Sequence, residues 1–418
     1  MDRVVLGEGC ILEDGVGTFR PNNNQIIVGC SGTGKSMSVL MPTVLGMSDS
    51  SMIATYSKPG EARKVGKYLG LKGYNVKICD LTAPKRSNCS FDPLYYLTSY
   101  LDIEDLARQI QNSDPSSTGS KDKYWDDGAI NLLTSLIEAV LMSEKNPTMT
   151  DVINMFDKLK ISENSIGKGI STTLDGLFES IERKAPNCPA VTAFNDFHQL
   201  PYSTSGCLRD TLAKALRRMF PEPVKGLMKN NKPLDFKELA SEKSALLIIT
   251  SPVNTSLYFF ANMIFSTAIK QLLEFAETCP DQHLPRPMRL LFDDFACAAV
   301  INDYSKHIAI FRAAGISTMM LIQSESQLIS LYSEDESTTI LNNCSAYVYF
   351  PGGMDLATCR SISQRLDVPI SEVMYAPPGK VIIMRSGEKP VIVPRYDIFN
   401  SKEYKEFLKC TTTETVER

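Results

Sequence analysis

Histidine is scarce in this 418-residue chain: His198, His283 and His307 stand far apart, and the eleven cysteines, from Cys10 to Cys410, include no CxxC pair. Neither a zinc site nor a disulfide framework can be read from such spacing. Reduced, mostly buried thiols are the expectation. Excess positive charge is also missing, since 44 Lys+Arg against 48 Asp+Glu leave a net charge of −4. That excludes a global basic field for nucleic acid, so any such contact must come from a local patch or a pore lining. No apolar run approaches the ~18 residues that cross a bilayer. The best candidates, Ala245–Thr250 and Tyr258–Phe265, are strand- and helix-sized. The first residues lack the charged-then-apolar order of a signal peptide, which points to a soluble cytosolic chain.

What is present is ordinary globular composition, 43% hydrophobic and 22% charged, which excludes wholesale disorder and fibrous classes. At roughly 150 residues per domain, the length asks for two or three domains. Short apolar runs recur between turn residues: Gln25–Val28, Met52–Tyr56, Val76–Cys79, Ala245–Thr250, Arg289–Phe292, Thr318–Gln323, Ala346–Phe350, Val381–Met384 and Val391–Val393. Several are apolar throughout, as strands covered on both faces of a mainly parallel sheet should be. Helical stretches separate many of them, so an α/β layered domain is expected.

One block breaks the rhythm. Between about Leu94 and Phe220 no strand is apparent. Trp125, Ala129, Leu132, Leu133, Leu136, Ile137, Val140 and Leu141 share one helical face. Val152, Met155, Phe156 and Leu159 repeat the spacing, as do Leu208, Leu212, Ala215, Leu216 and Met219. An all-helical insertion into an α/β domain follows. The expected boundaries are 1–93 and 221–400 for the two parts of the sheet domain, 94–220 for the all-α domain and 401–418 for a polar tail. The run from Asp114 to Lys121 reads as a flexible loop.

The densest signal is Gly29-x-x-x-x-Gly34-Lys35-Ser36, directly after the first of these strands and before a helix expected over Lys35–Gly46. Glycines let backbone N–H groups turn inward around phosphate oxygens, and a helix start adds partial positive charge. Gly29, Cys30, Ser31, Gly32, Thr33, Gly34, Lys35 and Ser36 are therefore the expected nucleotide-binding residues. Lys35 would reach the β- and γ-phosphates, and the Ser36 hydroxyl would bind Mg2+. An ordinary glycine-rich turn is the simpler alternative, but the full pattern in strand–turn–helix context argues against it.

A second motif supports the first. Arg289–Phe292 is an apolar strand ending in Asp293 and Asp294. In phosphate-loop ATPases the first such acid holds the metal and the second orients or deprotonates the attacking water. Asp294 is one methylene shorter than the usual Glu, which leads us to expect slow basal turnover. A third strand ends in Gln323, where ligand sites of open α/β sheets gather, so its amide is a candidate γ-phosphate sensor.

Together these pieces resemble the type IV coupling proteins, the TraG/TraD-like ATPases of conjugation. The resemblance runs from Asn24 to about Ile398. It includes the post-loop helix with its internal Pro42, Lys58-Pro-Gly-Glu61, Cys89-Ser-Phe-Asp-Pro-Leu94 and the Tyr124–Leu133 helix start. Further on it includes Leu208–Leu216, the acidic strand, Ile322–Leu328 with Tyr332, and Ile340–Cys344 leading to Tyr347–Phe350. It implies a RecA-like P-loop nucleotide domain carrying an inserted helical domain, in a ring of six subunits around a pore. The implied ligands are ATP and Mg2+. Implied partners are single-stranded DNA, a relaxase or other secreted protein, and the secretion channel. The place is the inner face of the cell membrane. Arg312 and Gln323, 18 and 29 residues past Asp294, match the family's arginine finger, which acts on the neighbouring subunit's ATP, and its γ-phosphate sensor.

The chain also departs from the family. Membrane-spanning helices usually precede the nucleotide strand, so either they have been removed or a separate protein supplies the anchor. Without them the chain in isolation is expected to be monomeric. Ser57-Lys-Pro-Gly-Glu61 differs from the usual acidic-Pro-Lys-Gly-Glu order. Arg209, Lys214, Arg217 and Arg218 could meet DNA phosphates, although a solvated helix face explains them more simply. Tyr95, Tyr96 and Trp125 could stack on bases; Trp125 reads better as core. Cargo specificity is expected in Thr98–Pro201. Two alternatives share the phosphate loop: another ring translocase of the FtsK/HerA kind, and a nucleotide-gated docking module with little turnover.

Overall fold

Nine expected apolar runs correspond to the nine strands of one sheet. The computed structural model describes residues 2–13, 22–112, 123–163, 169–229, 232–295 and 300–411. The loop 114–121 and the tail beyond Thr411 lie outside the described residues. In chain order the strands are β1 (Arg3–Gly7), β2 (Cys10–Glu13), β3 (Gln25–Val28), β4 (Ser51–Tyr56), β5 (Asn75–Asp80), β6 (Ile161–Glu163), β7 (Ile170–Thr172), β8 (Ser244–Ile249), β9 (Met288–Phe292), β10 (Ile316–Ile322), β11 (Ala346–Tyr349), β12 (Lys380–Arg385) and β13 (Val391–Pro394).

The large sheet runs β13-β12-β11-β3-β10-β9-β4-β8-β5. Its strands from β11 to β5 are all parallel; at one edge β12 runs antiparallel to β11, and β13, antiparallel to β12, returns to the common direction. Both faces are covered. Ile26, Val28, Ile53, Leu246, Ile248, Leu290 and Phe292 point into one core; Ile27, Met52, Ala54, Leu247, Leu291 and Leu321 point into the other. This explains why the strands read as continuous apolar runs. The mainly parallel α/β architecture expected from the sequence is the one observed.

Strands β5 and β8 are neighbours in the sheet but lie far apart in sequence. Between them the chain builds helices Tyr100–Gln111, Lys123–Ser143, Met149–Lys158, Asp175–Lys184, Pro189–His198 and Tyr202–Met219. Leu132, Phe156 and Phe194 of this block share one continuous core with a face of the sheet. Capping boxes at Ser99 with Asp102 and at Thr148 with Asp151 fix two of the helix starts. Buried Asp92 accepts from the backbone N–H of Leu94 and of Met149, tying the entry of the block to its third helix.

The block does contain strands: the antiparallel pair β6–β7. Each is three residues long, β6 largely exposed and β7 with Ile170 alone buried, so neither carries an apolar run that periodicity would detect. The helix expected over Lys35–Gly46 also differs. Residues Ser36–Leu40 form a π turn, with Met41 N–H donating to the Ser36 carbonyl, and a regular helix follows over Met41–Gly46. Pro42 has no N–H to offer the carbonyl four residues earlier, which loosens the ladder there. The described thiols are less buried than expected: of these ten, Cys79, Cys89 and Cys359 are buried, six are half-buried and Cys207 is exposed. No described helix is long and apolar enough to cross a membrane.

Candidate nucleotide site

Every strand that matters to the site ends at one edge of the sheet. Gly29 follows β3, and its N–H donates to the Ile322 carbonyl at the end of β10 (3.2 Å). Gln323 therefore stands beside the start of the loop, exposed, its own N–H held by the Gln327 side chain (3.0 Å). Strand β10 separates β3 from β9, so Asp293 and Asp294 emerge one strand further along.

Within the loop, Gly32 and Gly34 have φ of +82° and +93°, a region where L side chains are strained. Gly29 has no room for a side chain, because a Cβ there would lie 2.7 Å from the Phe350 Cβ. The Thr33 hydroxyl donates to the Cys30 carbonyl (2.8 Å), closing the turn, while Ser31 is exposed at its tip. The Lys35 ammonium folds inward onto the carbonyls of Gly29 and Cys30. Burial pushes its pKa down, and Asp294, Cys30 and Asp293 pull it up against that.

Ser36 Oγ donates to Asp293 Oδ1 at 2.5 Å, and Asp293 N–H donates to the Thr55 hydroxyl on β4 (3.1 Å). This pair joins two motifs 257 residues apart in sequence. Burial raises the Asp293 carboxyl above its ordinary range, although Ser36, Lys35 and Lys58 counteract it. Asp294 is pushed up to about 6 by burial and by the neighbouring charge of Asp293, against the pull of Lys35.

The structure brings the loop, both acids and Gln323 to the same sheet edge. It does not bring Arg312 there. This exposed residue sits in the short helix Phe311–Ala314 that feeds the amino end of β10. Seven strand residues, about 23 Å at ~3.3 Å each, separate it from the loop edge, far beyond a guanidinium's reach within one subunit.

Two residues near the loop had no site role in the sequence reading, which noted Glu61 only within the Lys58–Glu61 segment. Glu61 opens the helix Pro59–Leu71 after β4; its carboxyl is raised by burial and by Asp293, with Lys58 opposing. Only the adjacency of β4 and β9 places it there. Arg395 follows β13, and its guanidinium Nη1 lies 3.4 Å from the Thr33 carbonyl.

The expected nucleic-acid surfaces are more ordinary. Arg209 donates to the Leu159 carbonyl and packs over Phe156, and Arg218 packs over Phe259. Only Lys214 and Arg217 of that cluster are exposed. Trp125 is half-buried against the core, and buried Tyr96 donates to the Leu234 carbonyl, which leaves Tyr95 exposed.

Residues 3–367 match the family model described as Type IV secretory system Conjugative DNA transfer. Among solved structures, the bacterial conjugative coupling protein TrwB in complex with sulphate superposes with a TM-score of 0.68 at 17% identity, over 89% of this chain and 85% of that one. The plasmid coupling protein TrwB in complex with ADP and Mg2+ gives 0.64 at 16%, over 89% and 85%. VirB4 of Thermoanaerobacter pseudethanolicus gives 0.56 at 15%, over 95% and 96%. Identities this low speak to the fold, which is the RecA-like P-loop ATPase fold of those proteins. No curated protein sequence matches the chain.

Proposed function

We propose, for a chain that belongs to the type IV secretory system conjugative DNA-transfer family, that it is a coupling ATPase. It binds ATP at Gly29–Ser36 and uses hydrolysis to deliver single-stranded DNA, with its bound relaxase or another protein cargo, to the secretion channel. The observation that carries this reading is the meeting of Ser36 with Asp293, beside a Lys35 ammonium folded onto the carbonyls of Gly29 and Cys30.

The residues fit a nucleotide with its cation. Two glycines in left-handed conformation and one too crowded for a side chain leave backbone lining a phosphate-sized turn. Ser36 and Asp293 offer hard oxygen ligands of the kind Mg2+ takes. TrwB, of the same fold, has been seen with ADP and Mg2+. Ser36 and Asp293 would hold the ion, which supplies neutralisation of phosphate charge when bound. Lys35 exchanges the loop carbonyls for phosphate oxygens. Asp294 accepts the proton of the attacking water, and a carboxyl titrating near 6 suits that task at neutral pH. Gln323 senses the γ-phosphate. Arg312 acts on the ATP of a neighbouring copy, which calls for a ring, six subunits by family likeness. Thr98–Pro201 recruits cargo, and a membrane anchor places the ring at the inner face of the cell membrane.

A second reading rests on Asp294 itself: the shortened acid suits a module that binds ATP and scarcely turns it over. DNA-stimulated ATP hydrolysis separates the two. Lys35→Ala should lower the rate at least 100-fold, and Asp294→Glu should raise it. Wild-type turnover no greater than that of Lys35→Ala would end the motor reading and leave the docking module.

A further inference from the structure

Arg395 lies far from the phosphate loop in sequence and three strands away in the sheet, yet it touches that loop. Topology delivers it. Strand β12 reverses and β13 reverses again, so β13 runs parallel to β11 and its last residue, Pro394, pairs with Lys380 at the same edge where β11 ends. There the main chain is pinned on both sides: Glu8 N–H donates to the Pro394 carbonyl (2.9 Å), and Arg395 N–H donates to the Gly379 carbonyl (3.0 Å). From this fixed base the guanidinium crosses to the loop. Its Nη1 donates to the Thr33 carbonyl at 3.4 Å and would lie 3.2 Å from a Cβ on Gly34. Among the described residues it makes no ion pair.

We infer that Arg395 is a phosphate-contacting residue of its own subunit's nucleotide site, a second cation beside Lys35. A neutral carbonyl at that distance is a weak partner for a guanidinium. A phosphate oxyanion in the adjacent loop is a strong one, because charge-assisted bonds are shorter and about twice as strong. Arg395 also differs from Arg312 in kind: it reaches the loop in cis, so it supports binding in a lone subunit, before any ring forms. Backbone pinning lowers the ordering cost of the contact, since only the side chain has to move.

The inference rests on the nucleotide site proposed above, and the test keeps the two apart. Binding of a fluorescent ATP analogue and of adenosine is measured on the full chain for wild type, Lys35→Ala, Arg395→Lys and Arg395→Gln, with thermal melts of each. Arg395→Gln should weaken the ATP analogue about 10-fold, the scale of one charge-assisted contact, and leave adenosine binding and the melting temperature unchanged. Arg395→Lys should recover part of the loss. If Arg395→Gln binds the analogue as wild type does while Lys35→Ala does not, the Arg395 assignment is wrong and the site stands. Equal loss of adenosine and ATP with a lowered melt would mean a structural role and also overturns it. A wild type that binds no ATP removes the site, and this inference with it.

Discussion

Asp294 shows what one side chain's surroundings decide. Its carboxyl ordinarily titrates near 3.8, and burial beside Asp293 pushes it up to about 6. The charged form is therefore the strained one. A raised carboxylate pKa adds stability at pH values below 3.8, and that contribution is lost as pH rises through about 6. Two results are expected. Hydrolysis should climb with pH along a limb near 6, and Asp294→Asn should abolish both the activity and the limb. The same variant should melt ~1–2 °C above wild type at pH 7.5, a gain that shrinks as pH falls toward 4. An Asn variant no more stable than wild type at any pH would show that Asp294 is well solvated. Of these residues, the loop and the two acids were legible in sequence because each motif is local. Glu61 was noted only within the Lys58–Glu61 segment and Arg395 not at all, since their closeness to the loop is a product of strand order and reversal, which residue spacing does not encode.

Among the elements, the sheet was the easiest to read and its edges the hardest. Runs such as Ile26–Val28 and Ala245–Ile249 are apolar at every position because helices cover both faces. The hairpin β6–β7 lacks such a run, and β1 carries only the short Val4–Leu6, whose place depends on a neighbour: Val5 N–H donates to Thr43 of the post-loop helix (3.2 Å). Edge protection is likewise invisible in a pattern. Strand β5 ends the sheet, and exposed Asn88 plugs it. The Asn88 side chain accepts from Ile78 N–H (2.7 Å) and donates to the Val76 carbonyl (2.9 Å), and its backbone N–H donates to the Ile78 carbonyl. An unpaired edge recruits other chains. Asn88→Ala should cost about 1 kcal/mol, lower the melting temperature ~1–2 °C, and raise concentration-dependent light scattering. Unchanged melting and scattering would mean that water serves the edge as well as the amide does.

At the scale of the whole molecule, the decisive fact is that Arg312 and the phosphate loop occupy opposite ends of β10. A side chain cannot cross that span, so an Arg312 that acts on ATP must act on the ATP of another copy. Such a finger completes a site at a heterologous, head-to-tail contact, the kind that closes into rings. Arg312→Ala should then abolish hydrolysis while ATP binding survives, because the loop of each subunit remains whole. Mixing gives the sharper outcome. Lys35→Ala subunits keep the finger, and Arg312→Ala subunits keep the loop, so each variant alone is inactive. In an equal mixture that assembles at random, about one interface in four pairs an intact loop with an intact finger. Hydrolysis per subunit should return to roughly a quarter of wild type if interfaces act independently, and to less if they fire in concert. A mixture as silent as its components, under conditions where sedimentation shows mixed rings, would place the work of Arg312 inside its own fold and leave the subunit boundary without a catalytic role.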